Sequence, residues 1–154
     1  MTTLVAVRAV SKEAAPRMHE QVAACARADW RWLVVIATEP GLSALPLAEA
    51  IVERCAMTGE RRAKAWSGED RSRAELSSLV SEVNNHVEAG GRAVVVIDAL
   101  TGSRAGLPVA LAADAALLCV HLGVSTSLNA LRTVELLGRE RFLGAVTLEP
   151  GVRT

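Results

Sequence analysis

Apolar residues fall along this chain in two alternating patterns. Short unbroken runs stand at 33–37, 92–98, 115–121 and 142–148. Each is rich in Val, Ile, Leu or Ala and is bounded by turn or polar residues. That is the mark of a strand buried on both faces, as in a parallel sheet covered by helices. The run at 92–98 ends in a carboxylate, Asp98, at the strand edge where open α/β sheets bind ligands.

Between these runs the period lengthens to three or four residues. Met18, Val22 and Cys25 with Ala26 mark one amphipathic helix, N-capped by Ser11 and ending near Ala28. Leu45, Ala48, Ile51 with Val52, and Cys55 mark a second over 44–57, with Ser43 as its N-cap, Pro46 in its first turn and Gly59 closing it. Leu76, Leu79 with Val80, Val83 and Val87 mark a third over 72–89, stopped by Gly90 and Gly91. A short helix is predicted at 108–113. Another, capped by Ser125 or Thr126 and ended by Gly138, puts Leu128, Leu131, Val134 and Leu137 on its apolar face. Residues 60–70 are polar and predict at best a short strand. Residues 4–10 read as an edge strand or an ordered arm.

Strands and helices therefore alternate, which predicts a three-layer α/β/α domain with a mostly parallel, Rossmann-like sheet and right-handed crossovers. Residues 1–32 form an arm and an amphipathic helix, and 33–150 the rest of one compact domain. At 154 residues the chain can bury a real core, and with 51% hydrophobic but only 3% aromatic residues that core is aliphatic.

Charge narrows the function classes. Seventeen basic residues balance seventeen acidic ones, so no basic field recruits nucleic acid or anionic lipid. Neutrality favours self-association or a protein partner. The most apolar stretch is too short to insert in a bilayer. Cys25, Cys55 and Cys119 are widely spaced, show no metal-ligand pattern, and point to a reducing, cytoplasmic compartment. His19 and His86 read as surface residues and His121 as a strand-end core residue. No Ser-His-Asp or Cys-His set can be assembled, so no catalytic or metal-binding residue is assigned. Trp30, Trp32 and Trp66 have two open readings: plugs in the sheet edge, or anchors in a partner interface.

Three segments carry a family likeness: Val94, Val95, Val96, Ile97 and Asp98; the run from Ala112 and Asp114 to Thr126; and Phe142, Leu143, Gly144, Ala145, Val146 and Thr147. They resemble the strand-aspartate, the "aDxvllVvxxgxT" segment and the closing "vlGvVlN" of the cytoplasmic ATPase domain of bacterial tyrosine kinases, which belong with the MinD/ParA-type P-loop ATPases. Those kinases work with membrane polysaccharide co-polymerases in capsule and exopolysaccharide export. The likeness runs over residues 37–149.

The phosphate loop departs from that family. A Walker A loop needs glycines to open its backbone N–H groups, a Lys for the phosphate charge and a Ser/Thr hydroxyl for Mg²⁺. The family's Pro-Gly-Glu-Gly-Lys-Ser-Thr aligns without a gap to Pro40, Gly41, Leu42, Ser43, Ala44, Leu45 and Pro46. The second glycine, the lysine and the metal hydroxyl are all replaced. Trp66 stands where the first aspartate of the family's Asp-x-Asp would fall, and Leu148 or Glu149 replaces its base-contacting asparagine. The chain has no Tyr, so the family's tyrosine cluster is missing. A triphosphate carries about four negative charges, and each charged contact to it is worth roughly 1.5–3 kcal/mol, so losing the Lys and the metal ligand removes most of the grip.

The resemblance thus implies a catalytically inactive, pseudokinase-like adaptor or regulator of exopolysaccharide (capsule or holdfast-like) biosynthesis and export. Neither ATP nor Mg²⁺ is expected as cofactor. Its expected partner is a membrane polysaccharide co-polymerase, an active homologous ATPase or further copies of itself, with recruitment to the inner membrane through that partner. In the family the helix before the first strand helps build the oligomer, and here Glu13 and Arg17 echo its Glu-x-x-Arg pattern at altered spacing. Asp98 reads as a strand-end carboxylate capping the next loop, or as a relict Mg²⁺ ligand. Two other functions stay open: an active ATPase with an unorthodox site built from Glu39, Ser43 and Asp98, and a cell-division or partition regulator of the same fold.

Overall fold

The structure, a computed structural model, describes residues 14–60 and 62–149. The proposed arm at 4–10, the Ser11 cap and Glu13 lie outside the described residues, as does the side chain of Arg17. In chain order the elements are α1 (Ala14–Arg27), β1 (Trp32–Ala37), α2 (Leu45–Met57), β2 (Ala63–Ser67), α3 (Arg73–Glu88), β3 (Arg92–Ile97), α4 (Leu107–Ala112), β4 (Ala115–His121), α5 (Ser127–Leu137) and β5 (Phe142–Leu148).

The helix ends follow local chemistry. Ser72 and Glu75 form a capping box on α3: the Glu75 N–H donates to the Ser72 hydroxyl, and the Ser72 N–H to the Glu75 carboxylate. Those bonds hold the Glu75 carboxyl below its ordinary range, the Ser72 backbone N–H contributing most. At the other end of α2, Gly59 takes φ +95° and lets its own N–H and that of Glu60 reach the Ala56 and Cys55 carbonyls. That pair of bonds is the Schellman stop, and it needs a left-handed residue that glycine supplies without strain.

The five strands are all parallel and lie in the order β2-β3-β1-β4-β5. Side chains alternate across the sheet. Leu33, Val35, Val94, Val96, Leu117 and Val146 pack under α1 and α2. Trp32, Val34, Ile36, Val95, Leu118 and Phe142 pack under α3, α4 and α5. Both faces are covered, so β1 is buried along its whole length, and the expected three-layer α/β/α architecture is what forms.

The edge of the sheet where the strands begin is fastened by two charged residues. Asp114 Oδ2 accepts the N–H groups of Arg31 at 2.9 Å and Trp32 at 3.0 Å, pinning the entry to β1. Arg92 donates to the carbonyls of Ala26, Ala28 and Trp30 and lies 3.6 Å over the Trp30 ring. It thereby satisfies the carbonyls left open where α1 ends.

Several expectations need correction. Trp30 and Trp32 are 3% exposed and Trp66 9% exposed, so all three are core residues and none offers a surface to a partner. His86 is not a free surface residue. Its Nε2 lies 2.7 Å from the Arg62 carbonyl and 3.2 Å from that of Arg92, with Trp66 edge-on to the ring. On α5, Leu128 and Leu131 are 55% and 45% exposed, and the buried face is Thr133, Val134 and Leu137. The Thr133 hydroxyl makes this possible by donating to the Asn129 carbonyl at 2.7 Å.

Candidate functional site

The chain leaves β1 toward β2 on one side of the sheet and leaves β4 toward β5 on the other. This divergence opens a crevice between the two loops at the carboxyl ends of the strands, the usual ligand position in such sheets. The loop at 38–44 forms one wall and the loop at 122–126 the other.

Hydrogen bonds knit the two walls together. The Thr38 hydroxyl donates to Ser125 Oγ at 2.6 Å, and Ser125 Oγ accepts the His121 N–H at 2.8 Å. Glu39 reaches across the crevice: Oε2 accepts the Thr126 N–H at 3.1 Å and Oε1 the Asn129 side-chain amide at 2.8 Å. Thr126 also caps α5 by accepting the Asn129 N–H. The N-terminus of α5, which favours an anion through its open N–H groups and dipole, is thus filled by the protein's own carboxylate.

The loop from Pro40 to Leu45 is equally self-contained. The Leu42 N–H points to the Glu39 carbonyl, with Pro40 and Gly41 at the turn between them and Gly41 at φ +84°. This is the Pro-Gly pattern of a type II turn, so turn geometry alone accounts for the pair. Ser43 stands one residue before the α2 cap position, Ala44, yet its hydroxyl accepts the Leu45 N–H at 3.0 Å. Pro46 has no N–H to offer. Ala44 is fully buried and faces the α2 layer.

The same Ser43 hydroxyl donates to Glu69 Oε1 at 2.8 Å. Next to Glu69, Asp70 adopts a left-handed backbone at φ +56°, and its N–H donates to Asp98 Oδ2 at 3.0 Å. Asp98 therefore caps the loop after β2, not the loop that follows its own strand. Glu39, Ser43 and Asp98, the set considered for an unorthodox site, each bond to different partners and not to one another among the described residues.

His121 completes the crevice. Its Nε2 lies 3.1 Å from the Ser43 carbonyl, while Nδ1 is buried with no partner among the described residues. Burial pushes its pKa below the ordinary histidine value, against the opposing pull of the Ser43 carbonyl and the Glu69 charge. The cysteines are sealed in the core. Burial raises the Cys25 and Cys119 thiols to about 12, which leaves them protonated and unreactive. Leu148 is buried under the α1 and α2 layer, and no group of three or more metal-ligating side chains occurs among the described residues.

Sequence reading singled out the loop at 40–45. It missed Asn129 and Glu69, which lie 90 and 26 residues from their partners and reach them only through the sheet order. It also missed the structural roles of Asp114 and Arg92. No protein-family model matches the chain, and no curated protein matches it at a significant level.

Proposed function

We propose that this chain is a catalytically inactive relative of the P-loop ATPases, of bacterial tyrosine-kinase type, that works as an adaptor or regulator in exopolysaccharide biosynthesis and export. The observation that carries the reading is the state of the loop at 40–45. The Ser43 hydroxyl takes the Leu45 N–H, Pro46 removes the next donor, and the Glu39 and Glu69 carboxylates bond groups beside the loop. Two like charges about 4 Å apart repel by roughly 1 kcal/mol in water and several times more near a protein surface. The loop at 40–45 itself carries no cation to hold a triphosphate.

What remains for such a scaffold is contact with other proteins. Val124, Leu128 and Leu131 are exposed on the turn before α5 and on its first half, beside the crevice. Apolar side chains clustered on one surface favour a protein partner. The partner class, a membrane polysaccharide co-polymerase or an active homologous ATPase, comes from the sequence resemblance. No described helix is long and apolar enough to cross a membrane, which is compatible with recruitment through a partner.

The test has two parts. Calorimetry with Mg-ATP and with Mg-ADP at millimolar concentration is expected to give no binding heat. Affinity purification from the native host is expected to bring down a co-polymerase or an active ATPase, and Leu128→Gln/Leu131→Gln to weaken that capture. Saturable nucleotide binding by the unmodified chain, or a lone monomer with no partner, overturns the reading.

A further inference from the structure

On the α5 side of the crevice lies a second cavity, of about 470 Å³. It falls within the usual range for small-molecule sites. Three separate parts of the chain wall it: Pro40 from the loop after β1, Thr101 and Arg104 from the loop after β3, and Asn129, Arg132 and Glu135 from α5. Pro40 packs so closely on Gly102 that a Cβ there would come within 2.7 Å of the proline ring. That close approach holds the first two walls together.

Some arginines of the chain serve the fold through their side chains. Arg92 is committed to three carbonyls, Arg31 to Val87, Arg71 to Ser67, and Arg141 to Leu111 and Ala113. Arg104 and Arg132 make no side-chain hydrogen bond among the described residues, and both line the same space. Two guanidinium groups around one open cavity suit a doubly charged anion, and Arg matches phosphate with paired N–H donors.

The rest of the lining limits what the phosphate is attached to. Asn129 gives its amide N–H to Glu39, which leaves its oxygen as an acceptor. The Thr101 hydroxyl donates to the Thr38 carbonyl at 2.8 Å and can still accept. Glu135 is an acceptor as well. Three acceptors call for a ligand with several hydroxyl donors. No aromatic side chain lines the cavity to stack a base, and Leu136 is the one large aliphatic residue in its wall.

We propose that this cavity binds a phosphorylated sugar, with Arg104 and Arg132 on the phosphate and Asn129, Thr101 and Glu135 on the hydroxyls. The site uses side-chain cations in place of loop N–H groups. It does not depend on the adaptor reading, and its failure leaves that reading untouched.

Titration calorimetry of the full chain with glucose 1-phosphate and glucose 6-phosphate tests the assignment, with inorganic phosphate and glucose as controls. At least one sugar phosphate should bind about tenfold or more tightly than either control. Arg104→Gln and Arg132→Gln should each weaken it by about tenfold or more, as expected for a lost charged contact, with unchanged melting curves because both side chains are exposed. Glu135→Gln should tighten inorganic phosphate while weakening the sugar phosphate. Binding that saturates with neither sugar phosphate up to about 10 mM, some 2.7 kcal/mol of affinity, overturns the proposal. So does binding that survives the Arg104→Gln/Arg132→Gln double variant, or inorganic phosphate binding as tightly as both sugar phosphates.

Discussion

Ser43 and Glu69, on loops 26 residues apart, share a 2.8 Å hydrogen bond in which the serine hydroxyl donates. The same oxygen caps the first N–H of α2, so one side chain does locally what a bound phosphate oxygen does in an anion loop. Ser43→Ala is expected to lower stability by about 1 kcal/mol, the usual cost of a lost cap, read from the urea midpoint. Glu69→Gln keeps an acceptor for the Ser43 hydroxyl and leaves the cap intact, and is expected to change stability by less than about 0.5 kcal/mol. Urea denaturation of the two variants side by side separates the cap from the surface contact.

Arg92 holds the end of α1 against the sheet through three carbonyls and the face of Trp30. Arg92→Ala is expected to cost about 2–4 kcal/mol, because three partly buried acceptors lose a charged donor at once. Arg92→Lys should recover less than half, since a single ammonium cannot span three carbonyls or stack as a plane. Chemical denaturation of the two variants separates charge from shape. Equal stability of Lys and Arg at this position would refute the forked geometry.

A Cβ placed on Gly91 would sit 2.2 Å from His86 Nε2. The ring can swing away, but only by giving up the Arg62 and Arg92 carbonyls. Gly91→Ala is therefore expected to cost about 1–3 kcal/mol. In a His86→Ala background the same change should cost much less, since the obstacle is gone. This non-additivity is the signature of direct contact, and additive effects would place the strain elsewhere.

Much of this fold is legible from residue order, for physical reasons that also explain the errors. The strands β4 and β5 were readable to the residue because apolar runs between turn residues have few other uses. On α5 the apolar pattern places Val134 and Leu137 correctly on the buried face but adds Leu128 and Leu131, because leucines outweigh small and polar residues in any pattern. The true face is Ala130, Thr133, Val134 and Leu137, and the buried Thr133 hides its polarity in a bond to its own helix. At the site, the residues of the loop at 40–45 and its Pro-Gly turn are local and could be read from the sequence. The carboxylates of Glu39, bound to α5, and Glu69, bound to Ser43, meet their partners only after the sheet has assembled.

The same α5 face gives a stability contrast. Were Leu128 and Leu131 core residues, replacing either by Gln would cost several kcal/mol. Because both are about half exposed, Leu128→Gln and Leu131→Gln are expected to change stability by less than about 1 kcal/mol each. Val134→Ala on the buried face should cost more than either. Thermal melts of the three variants decide the assignment, and a severe loss from Leu128→Gln would show that this surface is covered in the isolated protein.

His121 makes the crevice sensitive to acid. In the folded chain burial holds its pKa below 6.5, while in the unfolded chain it takes the ordinary value near 6.5. Between those two values the unfolded state binds more protons, so stability falls as pH drops through that window and is fully retained above it. The cause is local: a second ring proton would land on Nδ1, which is buried without an acceptor among the described residues. NMR titration of the imidazole should give a midpoint below 6.5. Melting temperatures taken from pH 7.5 downward should fall more steeply for the unmodified chain than for His121→Gln, which cannot titrate. A midpoint at or above 6.5, or parallel pH profiles for the two proteins, would show that the Ser43 carbonyl and Glu69 match or outweigh its burial.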